Sequence, residues 1–208
     1  MPITHKIEKK NITILVWEIT ETLEELQVFG EEINSTSHTT EKKKKEHLTS
    51  RLLLNEISPN TMISYNEFGA PTLNNDKHIS ISHSKDLVAV IISEKKVGID
   101  IEEISEKALR LSSKFVSEKN QKTLNKEKAT LIWCLKEAIF KWHQKGEVDF
   151  IKDIIIPEFS AKEKGQVKAE FNKTDLILNY QKINNHYLVY VCTWKTFVIL
   201  NESEESRF

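Results

Sequence analysis

The chain has 208 residues, of which 39% are hydrophobic and 29% charged, and its formal net charge is −1. Without a net basic charge there is no electrostatic reason to expect nucleic acid or a membrane surface as a partner. Two cysteines are too few for a disulfide framework, and neither stands at metal-ligand spacing. The length is sufficient for one large domain or for two units of about 100 residues.

No segment predicts export or membrane insertion. The first ten residues, Met1 to Lys10, carry charges throughout and lack the apolar run of a signal peptide. No stretch approaches the ~20 consecutive apolar residues that a membrane-spanning helix needs. The sequence therefore predicts a soluble, cytoplasmic protein.

The first half of the sequence predicts strands mixed with helices. Residue patterns indicate a first strand at 12–19, helices at 21–32 and 41–56, and strands at 62–65, 78–82, 87–93 and 97–102. The segment 87–93 is apolar on both faces, which is typical of a central strand. The polar residues Glu94, Lys95 and Lys96 predict a hairpin turn into the strand that follows.

The second half repeats this mixture of elements. It predicts helices at 105–115, 118–125 and 126–144, then strands at 151–156, 166–171, 175–180, 187–193 and 197–200. The tail, 201–208, is expected to fray. The predicted fold class is α+β, with one half at 1–97 and the other at 98–208.

Two acidic residues stand on one predicted strand. Val97, Ile99 and Ile101 share one face, so Asp100 and Glu102 project from the other, roughly 6 to 7 Å apart along the chain. Two carboxylates placed in this way suit a hard divalent cation. The alternative is the solvated face of an edge strand, where such alternation is ordinary.

A third acidic residue lies on the predicted helix 126–144. Glu137 and Lys141 are four residues apart and point the same way, while Lys136 lies about 100° round the helix. Trp133 and Phe140 flank this charged sector, which leaves the helix apolar almost all round and predicts burial between two layers. The alternative is a surface ion pair between Glu137 and Lys141, worth only ~0.3 to 0.5 kcal/mol.

These two segments, preceded by Ile79-Ser80-Ile81-Ser82-His83-Ser84, closely resemble the 4'-phosphopantetheinyl transferases. More narrowly they look like the long, single-chain type that activates carrier proteins of peptide synthetases, polyketide synthases and fatty-acid synthesis. The resemblance implies transfer of the phosphopantetheine arm of coenzyme A to a serine of an apo carrier protein, with release of 3',5'-adenosine bisphosphate. It also implies two pseudo-symmetric halves with the active site at their seam, and a chain that has no need to dimerise.

The resemblance assigns roles to the residues of the strand and the helix. By matched position, Asp100, Glu102 and Glu137 would hold Mg²⁺, and Glu137 could also be the catalytic base. Lys136 and Lys141 match lysines that contact the phosphates. Of the two, Lys141 is the better candidate to stabilise the leaving group.

A second group of residues is assigned to coenzyme A by the same resemblance. Ser82 and His83 match a pair that contacts its phosphate oxygens, and Arg51 matches an arginine near the 3'-phosphate or the adenine edge. One lysine of the run 42–45 could also reach a phosphate. In the segment 68–73 the family commonly has Lys or Arg where this chain has Ala70, so coenzyme A binding is expected to depend more on Arg51, Lys136 and Lys141.

Two other interpretations stay open at this stage. The protein could be a non-catalytic module that binds a carrier domain or a nucleotide, with structural carboxylates. It could also be another magnesium-dependent nucleotidyl transferase or a phosphodiesterase that uses the same three acids. The pair Ser82 and His83 counts against the second alternative, because a generic metal site does not require it.

Overall fold

The computed structural model describes residues 3–29, 40–122 and 124–193. Within these ranges the chain forms the following strands: β1 (Ile3–Lys9), β2 (Ile12–Glu18), β3 (Ile63–Tyr65), β4 (Pro71–Leu73), β5 (His78–Ser84), β6 (Leu87–Ser93), β7 (Val97–Glu103), β8 (Ile154–Ile155), β9 (Lys164–Phe171), β10 (Thr174–Ile183) and β11 (His186–Cys192). The helices are α1 (Leu23–Phe29), α2 (Glu41–Ile57), α3 (Glu106–Arg110), α4 (Glu118–Gln121) and α5 (Lys126–His143), and a 3-10 turn spans Ser112–Lys114.

The strands form two larger antiparallel sheets and a small hairpin. The first sheet has the order β1-β2-β6-β5, the second has the order β7-β11-β10-β9-β8, and β3 pairs with β4. Antiparallel sheets packed with helices confirm the predicted α+β class. Strand β6 is buried along its whole length between β2 and β5, as its apolar faces predict.

The two sheets pack face to face, and a helix covers the outer side of each. Strand β2 shows why: Leu15 and Trp17 belong to the core under α2, whereas Ile14 and Val16 belong to the core between the sheets. This division follows from the period of two along a strand. On the other side, α5 packs on the second sheet through a core that includes Leu135.

Several elements differ from the sequence-based expectation. The hairpin predicted at 94–96 is wrong, because β6 belongs to the first sheet and β7 pairs with β11 in the second. The helix predicted at 105–115 ends at Arg110, and the strand predicted at 151–156 is reduced to β8. Strand β1 precedes the strand that was expected to be first.

Other expectations are left without a test. The strand predicted at 197–200 and the tail 201–208 lie outside the described residues. The change of sheet occurs between Ser93 and Val97, but the division into halves at 97 and 98, and their pseudo-symmetry, stay predictions. In the described part of the chain no helix is both long enough and apolar enough to cross a membrane.

Candidate active site

The edges of the two sheets meet through serine hydroxyls. Ser80, Ser82 and Ser84 alternate along β5, the edge strand of the first sheet, and each accepts a hydrogen bond from a backbone N–H of β7, the edge of the second. We call these three residues the serine ladder. Its bonds run from Ile99 N to Ser80 Oγ at 3.1 Å, from Ile101 N to Ser82 Oγ at 3.2 Å, and from Glu103 N to Ser84 Oγ at 3.0 Å. The ladder fixes the position of the acidic strand β7 against the first sheet.

Asp100 lies in this seam and is only 2% exposed. Its Oδ1 accepts hydrogen bonds from Ser82 Oγ at 2.8 Å and from Lys141 Nζ at 2.7 Å. Its Oδ2 is buried without a hydrogen-bond partner. The solvated-face alternative is therefore wrong for Asp100: β7 is an edge strand, but α5 covers its acidic face.

Gly98 allows α5 to approach this face closely. A Cβ atom at Gly98 would lie 2.1 Å from the backbone oxygen of Ala138 and 2.6 Å from the backbone nitrogen of Trp142. Because those atoms belong to a helix backbone, no side-chain rotation could relieve the overlap. Because Gly98 has no side chain, α5 can pack close enough to β7 for Lys141 to contact Asp100.

The three predicted carboxylates act on one another. Burial, followed by the charge of Asp100, raises the pKa of Glu137 to about 7. The same two causes raise the pKa of Glu102, whose Oε1 accepts a hydrogen bond from Trp133 Nε1 at 3.1 Å. Lys141 pairs with Asp100 rather than with Glu137, so the proposed surface ion pair on the helix is absent among the described residues.

The carboxylates fit a magnesium ion by their chemistry. Mg²⁺ prefers oxygen ligands and usually takes one or two carboxylates together with waters and phosphate oxygens. The partnerless Oδ2 of Asp100 and the mutual repulsion of the acids are features that a cation would relieve. Among the described residues no group of three or more His, Cys, Asp or Glu side chains is arranged as a ready metal site, so phosphate or water oxygens would have to complete the ligand set.

A cleft of about 470 Å³ opens beside the carboxylates. It lies between α2, the hairpin of β3 and β4, strand β5 and the end of α5, so helices packed on both sheets contribute to its walls. The basic side chains that line it are Lys43, His47, Arg51, His83, Lys141 and Lys145, against one acidic residue, Glu46. The excess of cationic groups suits an anionic ligand with several phosphates.

Arg51 stands in the wall that α2 contributes. Its guanidinium donates to the backbone oxygen of His47 at 3.3 Å, to Ser50 Oγ at 3.2 Å and to Tyr65 Oη at 3.4 Å. These long bonds orient the guanidinium beside the cleft, where its planar shape suits a phosphate. The hairpin that bears Tyr65 also places Ala70 in the cleft wall.

His83 stands at the mouth of the cleft next to a buried acid. Its Nδ1 lies 3.3 Å from Oε1 of Glu46, which is 7% exposed. Burial lowers the pKa of His83, although the charge of Glu46 acts in the opposite direction. The nearby carboxylate orients the ring, and the half-exposed side chain lines the cleft.

Two predicted coenzyme A ligands do not line this cleft. The Ser82 hydroxyl is buried and directed at Asp100. The Lys136 amine donates to the backbone oxygens of Phe150 and of Ile154, the latter at 2.7 Å. Burial lowers the pKa of Lys136 to about 8, and its position gives no support to a phosphate contact.

Some cleft residues were not identified from the sequence. Lys43 belongs to the basic run, where nothing in the sequence distinguishes one lysine from the next. Lys145 follows the left-handed residue Gln144, which has φ of 61° and ends α5. Phe68 lines the cleft from the hairpin, and Asn66 Nδ2 fastens that hairpin to the backbone oxygen of Gln144 at 3.1 Å. A four-residue spacing from Lys141 was the available signal for Lys145.

Comparisons with known proteins point to one family. The sequence model of the 4'-phosphopantetheinyl transferase superfamily matches residues 96–193. A protein of Aneurinibacillus migulanus described as 4'-phosphopantetheinyl transferase gsp is 35% identical over 101 residues, which cover 45% of this chain and 43% of that protein. The match thus spans less than half of the relative's length. The family match includes β7 and α5, and for that part of the chain it confirms the resemblance to the superfamily.

Proposed function

Residues 96–193 match the sequence model of the 4'-phosphopantetheinyl transferase superfamily, and from that premise we propose that this protein transfers the phosphopantetheine arm of coenzyme A to a serine of an apo carrier protein. One observation carries the proposal. Lys141 lines the basic cleft and also pairs with Asp100, so a phosphate-binding surface and a carboxylate group adjoin each other. A phosphoryl transfer from a polyanionic donor requires both.

The cleft residues would bind coenzyme A. Arg51, Lys43 and Lys145 supply positive charge from two sides of the cleft, and charge-assisted bonds to phosphate are among the strong hydrogen bonds of proteins. Tyr65 and Phe68 add apolar and aromatic surface at the hairpin. Because the side chain of Ala70 cannot reach a phosphate, Arg51, Lys43 and Lys145 would bind the phosphates of the ligand.

The carboxylate group would carry the chemistry. A bound Mg²⁺, held by Asp100, Glu102 and Glu137, would neutralise charge on the pyrophosphate. The carrier serine would attack the phosphorus nearest the pantetheine, its P–O bond would form as the bond to 3',5'-adenosine bisphosphate breaks, and the serine proton would pass to Glu137. In the metal-free site burial and the charge of Asp100 raise the pKa of Glu137 to about 7, and a bound cation would favour the ionised form that accepts a proton. Lys141 would stabilise the departing phosphate.

The cleft and the carboxylates come from one chain, which supports action as a monomer. The same premise supports holo-[acyl-carrier-protein] synthase activity with an acyl or peptidyl carrier protein as partner. If the protein were only a binding module, coenzyme A would bind without any covalent change of the carrier. A nucleotidyl transferase would instead add a nucleotide mass.

Mass spectrometry of an apo carrier protein incubated with the protein, coenzyme A and Mg²⁺ tests the proposal. A gain of one phosphopantetheine mass is expected, and Asp100→Ala should abolish it. Asp175→Ala is the matched control, because that carboxylate is exposed on β10 and pairs only with Lys168 among the described residues. An unmodified carrier across several carrier types, or transfer by Asp100→Ala in EDTA at the wild-type rate, would contradict the proposal.

A further inference from the structure

The hydroxyl of Ser82 holds the carboxylate of Asp100 in place. We propose that Ser82 is a positioning residue that directs Oδ2 of Asp100 toward the bound cation, and that it is not a ligand of coenzyme A. This inference rests on the proposed function, because it assigns the cation to the same carboxylates. It also replaces the role that the family resemblance gave to Ser82.

The hydrogen bonds of Ser82 leave no proton for a phosphate. A serine hydroxyl has one proton to donate, and here that proton is given to Asp100 Oδ1 at 2.8 Å. Its oxygen accepts the backbone N–H of Ile101 at 3.2 Å. The side chain is 3% exposed and does not line the cleft, so a phosphate could take its proton only if the bond to Asp100 broke.

The two donors on Oδ1 orient the whole carboxylate. Ser82 approaches Oδ1 from β5, and Lys141 approaches it from α5. With Oδ1 occupied in this way, Oδ2 is left buried without a hydrogen-bond partner, because the one proton of the nearby Cys134 thiol goes to the backbone oxygen of Tyr187 at 3.4 Å. A buried acceptor without a partner is costly, and a cation at Oδ2 would supply what it lacks.

Ser82 is the better fixed of the two donors. Its backbone lies in a sheet, and its oxygen is anchored by the N–H of Ile101. Lys141 is a flexible side chain that also lines the cleft, and a bound phosphate would compete with Asp100 for its amine. When the ligand binds, Ser82 would therefore be the donor that keeps the carboxylate oriented.

The serine ladder supplies a matched control for this role. Ser82 and Ser84 each accept one backbone N–H of β7, at 3.2 and 3.0 Å, but only Ser82 also donates to Asp100. Ser82→Ala removes the ladder bond and the carboxylate bond together. Ser84→Ala removes a ladder bond alone, and any effect on the joining of the sheets should therefore be common to both variants.

Mn²⁺ added to the full chain without coenzyme A, and followed by the paramagnetic resonance signal of the free ion, tests the inference. We expect Ser82→Ala to weaken Mn²⁺ binding about 10- to 100-fold, as loss of a hydrogen bond to a ligating carboxylate typically does. Ser84→Ala should bind Mn²⁺ as the wild type does, and Ser82→Thr, which keeps the hydroxyl, should restore most of the affinity. At a saturating Mg²⁺ concentration, the KM for coenzyme A should change less than twofold in Ser82→Ala.

Each other outcome has a defined meaning. Wild-type Mn²⁺ affinity in Ser82→Ala, or equal losses in Ser82→Ala and Ser84→Ala, would overturn the positioning role, and so would a wild-type protein that binds no Mn²⁺. A raised KM for coenzyme A with unchanged Mn²⁺ affinity would make Ser82 a ligand of coenzyme A instead. Failure of the proposed function is seen separately, as a carrier protein that gains no mass from the wild-type enzyme.

Discussion

The ionisation of Glu137 makes the stability of the fold depend on pH. Its folded pKa of about 7 exceeds the ordinary value of 4.5 because the group is buried beside Asp100. Between these two values the folded protein binds a proton that the unfolded chain has released. Stability is therefore lost as the pH rises from 4.5 through 7, and the loss is complete above that range. An ionised Glu137 therefore destabilises the metal-free fold.

Glu137→Gln should separate stability from activity. In EDTA the variant keeps its shape but cannot ionise, so its thermal midpoint should exceed that of the wild type at pH 8 and approach it at pH 5. Its transfer rate should fall by ~10² to 10⁴, the typical cost of removing a base or metal ligand. Thermal melts at both pH values and the carrier mass assay measure the two effects. A near-normal rate would remove Glu137 from the mechanism.

Unlike the neighbouring Glu137, Lys136 has a structural role, because its amine binds backbone oxygens. It donates to the backbone oxygens of Phe150 and Ile154, and it thereby ties α5 to the turn that follows it. Lys136→Met keeps the length of the side chain but leaves those buried oxygens without a donor. The expected loss is about 1 to 3 kcal/mol of unfolding free energy, with an unchanged KM for coenzyme A. Urea unfolding and steady-state kinetics check this; unchanged stability with a raised KM would place the amine at the phosphates.

At the scale of elements, the contact between α5 and β7 sets the geometry of the site. Gly98→Ala should push the helix away, because its Cβ would overlap the backbone oxygen of Ala138. Overpacking of this kind typically costs 1 to 3 kcal/mol, and transfer should fall even where the variant still folds. Gly165→Ala is the control: its Cβ would meet the hydroxyl and ring of Tyr180 at 2.8 to 3.0 Å, and its strand, β9, is separated from β7 by β10 and β11. Equal transfer rates in the two variants would contradict this role of Gly98.

The sequence predicts strand β7 and helix α5 well for a physical reason. Apolar side chains are stabilised by burial, so their spacing determines which face of an element is buried. Ile99 and Ile101 alternate along β7, and Leu135 and Ile139 recur at helical spacing along α5. The predicted helix at 126–144 ends within one residue of α5. The acidic face of β7 follows at once, since side chains alternate along a strand.

The remaining features depend on contacts between segments far apart in the chain. Nothing local indicates that β7 leaves its neighbour β6 and pairs with β11, because both pairings satisfy the same alternation. Nor does helical periodicity decide whether Lys136 donates to a ligand or to carbonyl groups of the next turn. The direction of the Ser82 proton is likewise set by Asp100, 18 residues later.

At the scale of the whole molecule, the cleft and the carboxylates lie where the two sheets meet, and a third surface continues from them. Helix α3 and the 3-10 turn after it follow β7 directly, and they expose Lys107, Arg110 and Lys114 beside the apolar residue Leu111. Burial and the charge of Asp100 raise the pKa of Glu102, and the positive charge of Lys107 is close enough to offset part of that rise. A carrier protein whose serine reaches the carboxylates would contact this surface.

Carrier proteins of the class implied by the family are generally acidic around the target serine, so docking should depend on these cations. We expect Lys114→Glu, and Lys122→Glu just beyond α4, to raise the KM for the carrier and to reduce its dependence on salt, while the KM for coenzyme A stays unchanged. Lys6→Glu is the control, since β1 lies at the opposite edge of the first sheet from β5. Initial rates at low and at physiological ionic strength measure the effect.

Because charges at the rim of an interface act on the encounter of the two proteins rather than on the chemical step, the rate at saturating carrier should be preserved. A carrier KM that is indifferent to both reversals would place docking on another face of the protein.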